Sequence, residues 1–205
     1  INTAINDTVC RDRNGVILPV HGMAGGVGAT TFAANLAWEL ASIPETENMR
    51  VCVIDLDLQF GDVALCLGLP PERTVYDLAQ SPGALDWDKL EAFMASHSSG
   101  VHTLIAPRRP DQASAVGAEL LREIYAILRQ NYDWVVVDTP PGFTAEVITS
   151  IDNSTEIVMV GMLDSLSLKN TKLGLETLDL MGIEQGTVRL VLNRAHSRVG
   201  ISNSD

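Results

Sequence analysis

A glycine-rich loop between an apolar segment and a helical pattern is the feature that most constrains how this chain folds. Residues 16–20 are apolar and predict a strand. Residues 31–41 predict a helix, because Ala33, Leu36, Ala37 and Leu40 recur at helical spacing. The segment 23–31 between them reads MAGGVGATT. A strand, a glycine loop and a helix in this order predict an anion-binding turn at a helix N-terminus.

The loop has most parts of a phosphate-binding loop. Gly25, Gly26 and Gly28 allow backbone N–H groups to converge on an anion, and the helix dipole adds to them. Thr30 occupies the Ser/Thr position of the G-x-x-x-x-G-K-[ST] pattern, where the hydroxyl ligates Mg²⁺. We therefore expect the segment 25–31 to hold phosphates, with Val27, Ala29 and Thr31 in the same loop. A glycine turn without any ligand is the alternative.

The lysine of that pattern is absent, since Ala29 stands in its place. Phosphoryl transfer depends on cationic groups around the transferred phosphate. Removing one preorganised contact of that kind costs roughly 2.7–4 kcal/mol of transition-state stabilisation. Nucleotide binding with slow or no hydrolysis is the expectation.

Composition narrows the class of function. The chain has 14 basic and 26 acidic residues, a net charge of −12, which argues against a sequence-independent grip on DNA and against a polybasic membrane surface. The three cysteines have no metal-ligand spacing, and Cys52 lies in an apolar strand pattern. The histidines are scattered, which favours structural or surface roles. No apolar segment has the length of a membrane span, so we expect a cytoplasmic protein.

Alternating strand and helix patterns predict an α/β fold, a three-layer αβα sandwich with a mostly parallel central sheet. Residues 1–205 are interpreted as one nucleotide-binding domain of a longer chain. The further strands are predicted at 51–54, 101–105, 134–137, 156–161 and 188–192. The further helices are predicted at 61–67, 75–79, 85–95, 119–130 and 165–181. Gly182 is expected to end the last of these helices, and residues 108–111 are expected to form an exposed loop.

Polar residues follow several of these strands, at the edge where ligands bind in open parallel sheets. Asp138 follows three valines, as a carboxylate that holds Mg²⁺ does, and Asp55 is a second candidate for the metal. Asp57 is the candidate to position an attacking water. Gly142 is a candidate to contact the γ-phosphate through its N–H, and Asn193 to pair with an adenine edge. Ordinary turn and cap roles are the alternative for each.

The assembled motifs resemble a known family. Residues 25–31, Asp55-Leu56-Asp57, Asp138-Thr139-Pro140-Pro141 and Asn193-Arg194 are similar to the deviant Walker A class of MinD/ParA P-loop ATPases. Within that class, the segment 53–64, VIDLDLQFGDVA, and the segment 191–194, VLNR, resemble the TadZ/CpaE pilus-assembly proteins.

The resemblance implies a homodimer with ATP and Mg²⁺ between the subunits, and Asn193 and Arg194 among the nucleotide contacts. It also implies a role in placing a bacterial Flp (tight adherence) pilus or secretion system at the inner membrane or cell pole, and an N-terminal receiver-like domain before this segment. The family's signature lysine aligns with Ala24, so both lysines are replaced. Lys169 and Lys172 are the candidates to substitute for them.

Other functions remain open at this point. A pseudo-ATPase scaffold that binds no nucleotide would share the same role. A ParA-like DNA-partitioning ATPase is disfavoured by the acidic charge, and we expect no nucleic acid. A MinD-like membrane switch needs an amphipathic helix that this segment lacks, so no direct membrane insertion is expected. A P-loop metabolic enzyme or an iron–sulfur reductase is the last alternative, and no cysteine follows Asp138 to support a cluster.

Overall fold

The computed structural model describes residues 14–43 and 49–196 of the chain. Cys10 and residues 44–48, part of the connection predicted at 42–48, lie outside these ranges. The strands are β1 Val16–His21, β2 Val51–Asp55, β3 Ala95–Ser96, β4 His102–Leu104, β5 Trp134–Asp138, β6 Ile157–Met162 and β7 Val188–Asn193. The helices are α1 Ala29–Ser42, α2 Val63–Cys66, α3 Val75–Gln80, α4 Trp87–Ala92, α5 Ala118–Asn131, α6 Ala145–Asp152 and α7 Ser165–Leu180. Short 3-10 helices span Pro110–Ala115 and Gln185–Thr187.

The described strands form one seven-stranded sheet in the order β3-β4-β2-β5-β1-β6-β7. All pairs are parallel except β3 with β4, which is antiparallel. Strand β1 lies between β5 and β6, so the chain passes to one side of β1 and later to the other. Such a reversal of strand order opens a crevice at the carboxyl ends of the strands.

Helices cover both faces of the sheet, because alternate strand residues point to opposite sides. On one face, α1 packs its small side chains Ala33, Ala34 and Ala37 against valines of the central strands. On the other face, α5 packs Leu121, Ile124, Tyr125 and Leu128, and α6 and α7 continue that layer over β6. The predicted three-layer αβα fold with a mostly parallel sheet is confirmed.

Three local predictions were wrong or incomplete. The helix predicted over 85–95 ends at Ala92, because Ala95 and Ser96 pair with β4 instead. Helix α6 was not predicted at all. The loop predicted at 108–111 is partly helical, because a 3-10 helix begins at Pro110. The Arg108 side chain donates hydrogen bonds to the carbonyls of Pro71 and Glu72. No helix in the described ranges is long and apolar enough to cross a bilayer.

Candidate functional site

The glycine loop joins β1 to α1 and forms an open cradle. Gly26 and Gly28 have φ angles of 78° and 93°, a left-handed region that glycine adopts without a Cβ penalty. A Cβ built on Gly25 or Gly26 would meet no described atom within 4 Å, so this part of the loop faces free space. Helix α1 begins at Ala29, and no side chain in the described residues caps its N-terminus. Its first N–H groups therefore stay available for an anion.

Asn193, at the end of β7, braces the loop from the side. Its Nδ2 donates to the Val27 carbonyl at 2.8 Å, and its Oδ1 accepts from the Arg194 N–H at 2.9 Å. A Cβ on Gly28 would collide with the Asn193 amide, so this close approach needs glycine. The structure thus gives Asn193 a positioning role in the loop. The predicted contact with an adenine edge stays a prediction, as does the role of Arg194, which is exposed and has a φ of 52°.

Thr30 and Asp138 meet beneath the loop. A hydrogen bond joins the Thr30 side chain to the Asp138 carboxylate, which is only 1% exposed. The Oδ1 atom of Asp138 has no hydrogen-bond partner within the described part of the chain. Burial raises the pKa of Asp138 to about 7, the Thr30 hydrogen bond opposes that rise, and the negative charges of Asp57 and Asp62 add to it.

Asp55 lies beside Asp138, since the two residues are in register on neighbouring strands. Its carboxylate accepts from the backbone N–H groups of Asp57 and Val63, each at 3.1 Å. Gly61 lies so close that any Cβ there would overlap the same carboxylate. Burial raises the pKa of Asp55 well above its usual value, and the Asp138 charge raises it further. Asp55 therefore braces the β2–α2 loop beside the site.

The remaining predicted residues surround this centre. The half-buried Asp57 accepts from the Phe60 N–H at 3.1 Å and so shapes the turn after β2. Gly142, with a φ of 91°, precedes α6 in the segment that follows Asp138. Lys172 pairs with Glu176 at 3.9 Å, and Lys169 is exposed on the same helix. No contact in the described residues brings either lysine to the glycine loop.

His21 is the residue that the sequence reading missed at this site. It ends β1, is fully buried, and contacts Thr139 Oγ1 through Nδ1 at 2.8 Å. The Thr139 hydroxyl also lies 2.9 Å from the Val20 carbonyl, so it links the His21 ring to the end of β1. Its Nε2 faces the sulfur of Met23 at 3.2 Å, in the first turn of the loop. Burial lowers the pKa of His21 to about 4, so the ring is neutral. The sequence contained one signal for this role: His21 directly follows the apolar residues 16–20, at the end of the strand that leads into the glycine loop.

The site fits a magnesium ion that is shared with a phosphate ligand. No three His, Cys, Asp or Glu side chains of the described residues converge into a complete cage for a metal. Mg²⁺ prefers one or two protein oxygens, with phosphate oxygens and water completing an octahedron. The partnerless Asp138 oxygen and the Thr30 hydroxyl are a donor set of that kind. The cation would offset the negative charge that these carboxylates share with a phosphate.

Comparison with known proteins agrees with this arrangement. A family model described as AAA domain matches residues 16–185. The septum site-determining protein MinD of Bacillus subtilis is 26% identical over 144 residues, which are 66% of this chain and 49% of MinD. The antiactivator FleN of Pseudomonas aeruginosa is 25% identical over 194 residues, which are 88% of this chain and 62% of FleN. The chain thus spans about half to two thirds of these relatives.

Solved structures share the fold. A ParA family ATPase from Chlorobium tepidum superposes with a TM-score of 0.81 at 20% identity, covering 92% of this chain and 76% of the other. MinD from Pyrococcus horikoshii, in complex with Mg-ADP, gives 0.68 at 22% identity, with coverages of 90% and 72%. The chain therefore belongs to the AAA domain family and is a P-loop ATPase family member of the MinD/ParA type. The predicted family is confirmed at this level.

Proposed function

We propose that this protein binds ATP·Mg²⁺ at the glycine loop and acts as a nucleotide-controlled localisation factor. The observation that carries the proposal is the Asp138 oxygen, which is buried and without a partner in the described residues, directly under an open glycine cradle. A buried carboxylate in this state is costly unless a cation compensates for it. Further support comes from structural neighbours that were solved with Mg-ADP, or with an ATP analogue and magnesium, bound.

Hydrolysis in this proposal is slow or absent. Ala24 and Ala29 stand where the family has its two lysines, and within the described residues no contact brings Lys169 or Lys172 to the loop. Asp57 lies close enough to influence Asp138 and remains the candidate for orienting an attacking water. We therefore assign the protein a binding switch, in which ATP occupancy matters more than turnover.

The biological role that we propose is to place a Flp (tight adherence) pilus or a related secretion system in the cell. Support for it is the resemblance of residues 53–64 and 191–194 to TadZ/CpaE proteins. A cytoplasmic homodimer recruited to the inner membrane or the pole by its partners fits that role. A solved MinC:MinD complex shows that a structural neighbour of this chain assembles with another protein.

Two experiments test the proposal separately. Calorimetric titration of ATP·Mg²⁺ tests the switch: we expect micromolar binding that Asp138→Ala abolishes, with Asp152→Ala, an exposed aspartate on α6, as the matched control. Absence of binding to the unmodified protein would favour a scaffold that binds no nucleotide. For the pilus role, deletion of the gene in its host should remove or misplace Flp pili. Normal pili in that strain, with a defect in chromosome segregation instead, would favour the partitioning function.

A further inference from the structure

Helix α7 turns most of its leucines outward. The residues that it buries are mostly small, namely Ser167, Thr171, Gly174 and Leu178. By contrast, Leu166, Leu173 and Leu180 are 64%, 48% and 87% exposed. A helix that serves only the core of its own chain directs its apolar side chains inward. The outward leucines therefore indicate a surface that becomes buried against another helix or protein.

The three exposed leucines form one continuous stripe, which we call the leucine stripe. They are seven residues apart in the sequence. This spacing keeps side chains on nearly one line of an α-helix, with a drift of about 20° per repeat. Leucines at this spacing are typical of the seam along which two helices pair. Leu168, which is 36% exposed, lies on the other flank of α7 and outside the stripe.

The charged residues beside the stripe divide α7 into a basic and an acidic half. Lys169 and Lys172 lie in its first half, and Glu176 and Asp179 lie in its second. All four are exposed, and Lys172 pairs with Glu176 of the same helix at 3.9 Å. The charges of α7 thus sum to zero, although the chain has a net charge of −12. Exposed charges elsewhere are screened beyond about 8 Å in physiological salt, so a second copy meets a locally neutral surface here.

We propose that two copies of this chain meet along the leucine stripe, with their α7 helices antiparallel about a two-fold axis near Leu173. Leu166 then packs against Leu180 of the partner subunit. Lys169 lies beside Glu176 of the partner subunit, because the basic half of each helix faces the acidic half of the other. A parallel pair would instead bring like charges together. The inference rests on the homodimer of the proposed function and names the surface that joins its subunits.

The back of α7 touches the glycine loop, so the stripe belongs to the same part of the molecule as the proposed nucleotide site. Strand β6, which leads into α7, pairs with β1, which leads into the loop. Met23 of the loop lies so close to the helix that a Cβ on Gly174 would be 2.5 Å from its Cγ. Nucleotide binding and pairing of the stripes are separate contacts, and each is measured without the other.

Sedimentation equilibrium of the protein across the micromolar range tests the proposal. We expect a reversible dimer without nucleotide, which Leu173→Ala weakens about tenfold or more, because the dimer loses both leucines at its centre. The matched control is Leu168→Ala on the other flank of the same helix, which should leave the dimer unchanged. A protein that stays monomeric with and without ATP·Mg²⁺ would overturn the proposal. So would a dimer that Leu173→Ala leaves intact.

Charge reversal tests the antiparallel orientation. Lys169→Glu and Glu176→Lys should each weaken the dimer about threefold or more, and the double variant should restore it. The two positions are about 10 Å apart along one helix, beyond its i,i+3 and i,i+4 pairs, so restoration requires contact between subunits. A double variant that stays weak would overturn this arrangement.

Calorimetry of ATP·Mg²⁺ keeps this inference distinct from the proposed function. We expect Leu173→Ala to bind ATP·Mg²⁺ although it dimerises poorly, because the side chain lies on the face of α7 away from the loop. A chain that dimerises through Leu173 and binds no nucleotide would contradict the proposed switch and support the leucine contact. A dimer that forms only with ATP·Mg²⁺ and ignores Leu173→Ala would support the switch and overturn the leucine contact.

Discussion

Replacing the buried carboxylate of Asp138 by an amide should stabilise the protein in the absence of nucleotide. Asp138→Asn removes a charge from a position that is 1% exposed and whose Oδ1 has no partner in the described residues. The amide oxygen has nearly the same shape and still accepts the hydrogen bond from Thr30. The substitution therefore removes the cost of burying the charge and leaves the packing intact.

The size and sign of the effect follow from the pKa. Burial raises the pKa of Asp138 to about 7 in the folded protein, from an ordinary value of 3.8, and this difference corresponds to about 4 kcal/mol. Between pH 3.8 and 7 the unfolded chain loses the proton while the folded protein keeps it, so folding of the unmodified protein becomes less favourable as pH rises. The advantage of Asp138→Asn is largest above pH 7 and vanishes near pH 4. Asp138→Asn also removes the negative charge that helps to raise the pKa of Asp55, and this adds to the gain in stability.

Urea unfolding at pH 8.5, 7 and 5 without nucleotide measures this. We expect the free energy of unfolding of Asp138→Asn to exceed that of the unmodified protein by up to about 4 kcal/mol at pH 8.5, and by progressively less at lower pH. Asp152→Asn, at an exposed position, should show no such trend. A variant that is less stable at pH 8.5, or a difference that does not change with pH, would refute the reasoning.

Three further substitutions examine the loop and its surroundings. Ala29→Lys should increase ATP affinity and raise any hydrolysis rate by about 10²–10³, measured as phosphate release; an unchanged rate would mean that the lysine is not the missing element. Gly25→Ala should leave the melting temperature unchanged, since a Cβ there meets no described atom, yet weaken ATP·Mg²⁺ binding in calorimetry about tenfold or more; Gly186→Ala, equally open, should do neither. His21→Gln should be less stable than the unmodified protein at pH 7.5, with a deficit that shrinks by up to about 3 kcal/mol between pH 6.5 and 4 in urea unfolding. The reason is that the unmodified protein loses stability between pH 6.5 and 4. In that range the histidine of the unfolded chain binds a proton, whereas the buried ring, with a pKa of about 4, does not. A deficit that stays constant with pH would contradict this explanation.

The sequence predicted the central sheet well because its strands are locally distinctive. Continuous apolar runs such as those of β2 and β5 are typical of strands buried on both faces, and the polar residue after each marks its carboxyl end. Parallel topology brings those ends to one edge of the sheet, which is why Asp55 and Asp138 could be placed at the same edge in advance. Their position side by side follows from the pairing of β2 with β5.

The features that the sequence did not predict depend on contacts between distant segments. Strand β3 has two residues and exists only through pairing with β4. The role of Asp55 as a brace depends on the loop that returns over it at Gly61 and Val63. The contact of the His21 ring with Thr139 joins two residues that are 118 positions apart in the sequence. Local sequence patterns carry no information on such contacts, so these details could be identified only from the three-dimensional structure.

With both lysines replaced, a bound Mg²⁺ would be the main source of positive charge for a phosphate in the proposed site. Negative charge is concentrated at this edge of the sheet: the Asp57 charge raises the pKa of Asp138, and the Asp138 charge raises the pKa of Asp55, in each case in addition to the larger effect of burial. A nucleotide without a metal would bring like charges together, whereas a Mg²⁺ ion held by Asp138 and Thr30 would offset that repulsion. Chelation of Mg²⁺ with EDTA should therefore abolish ATP binding in calorimetry, and Ala29→Lys should restore part of it. Equal binding of ATP with and without Mg²⁺ would contradict this assignment of the metal site.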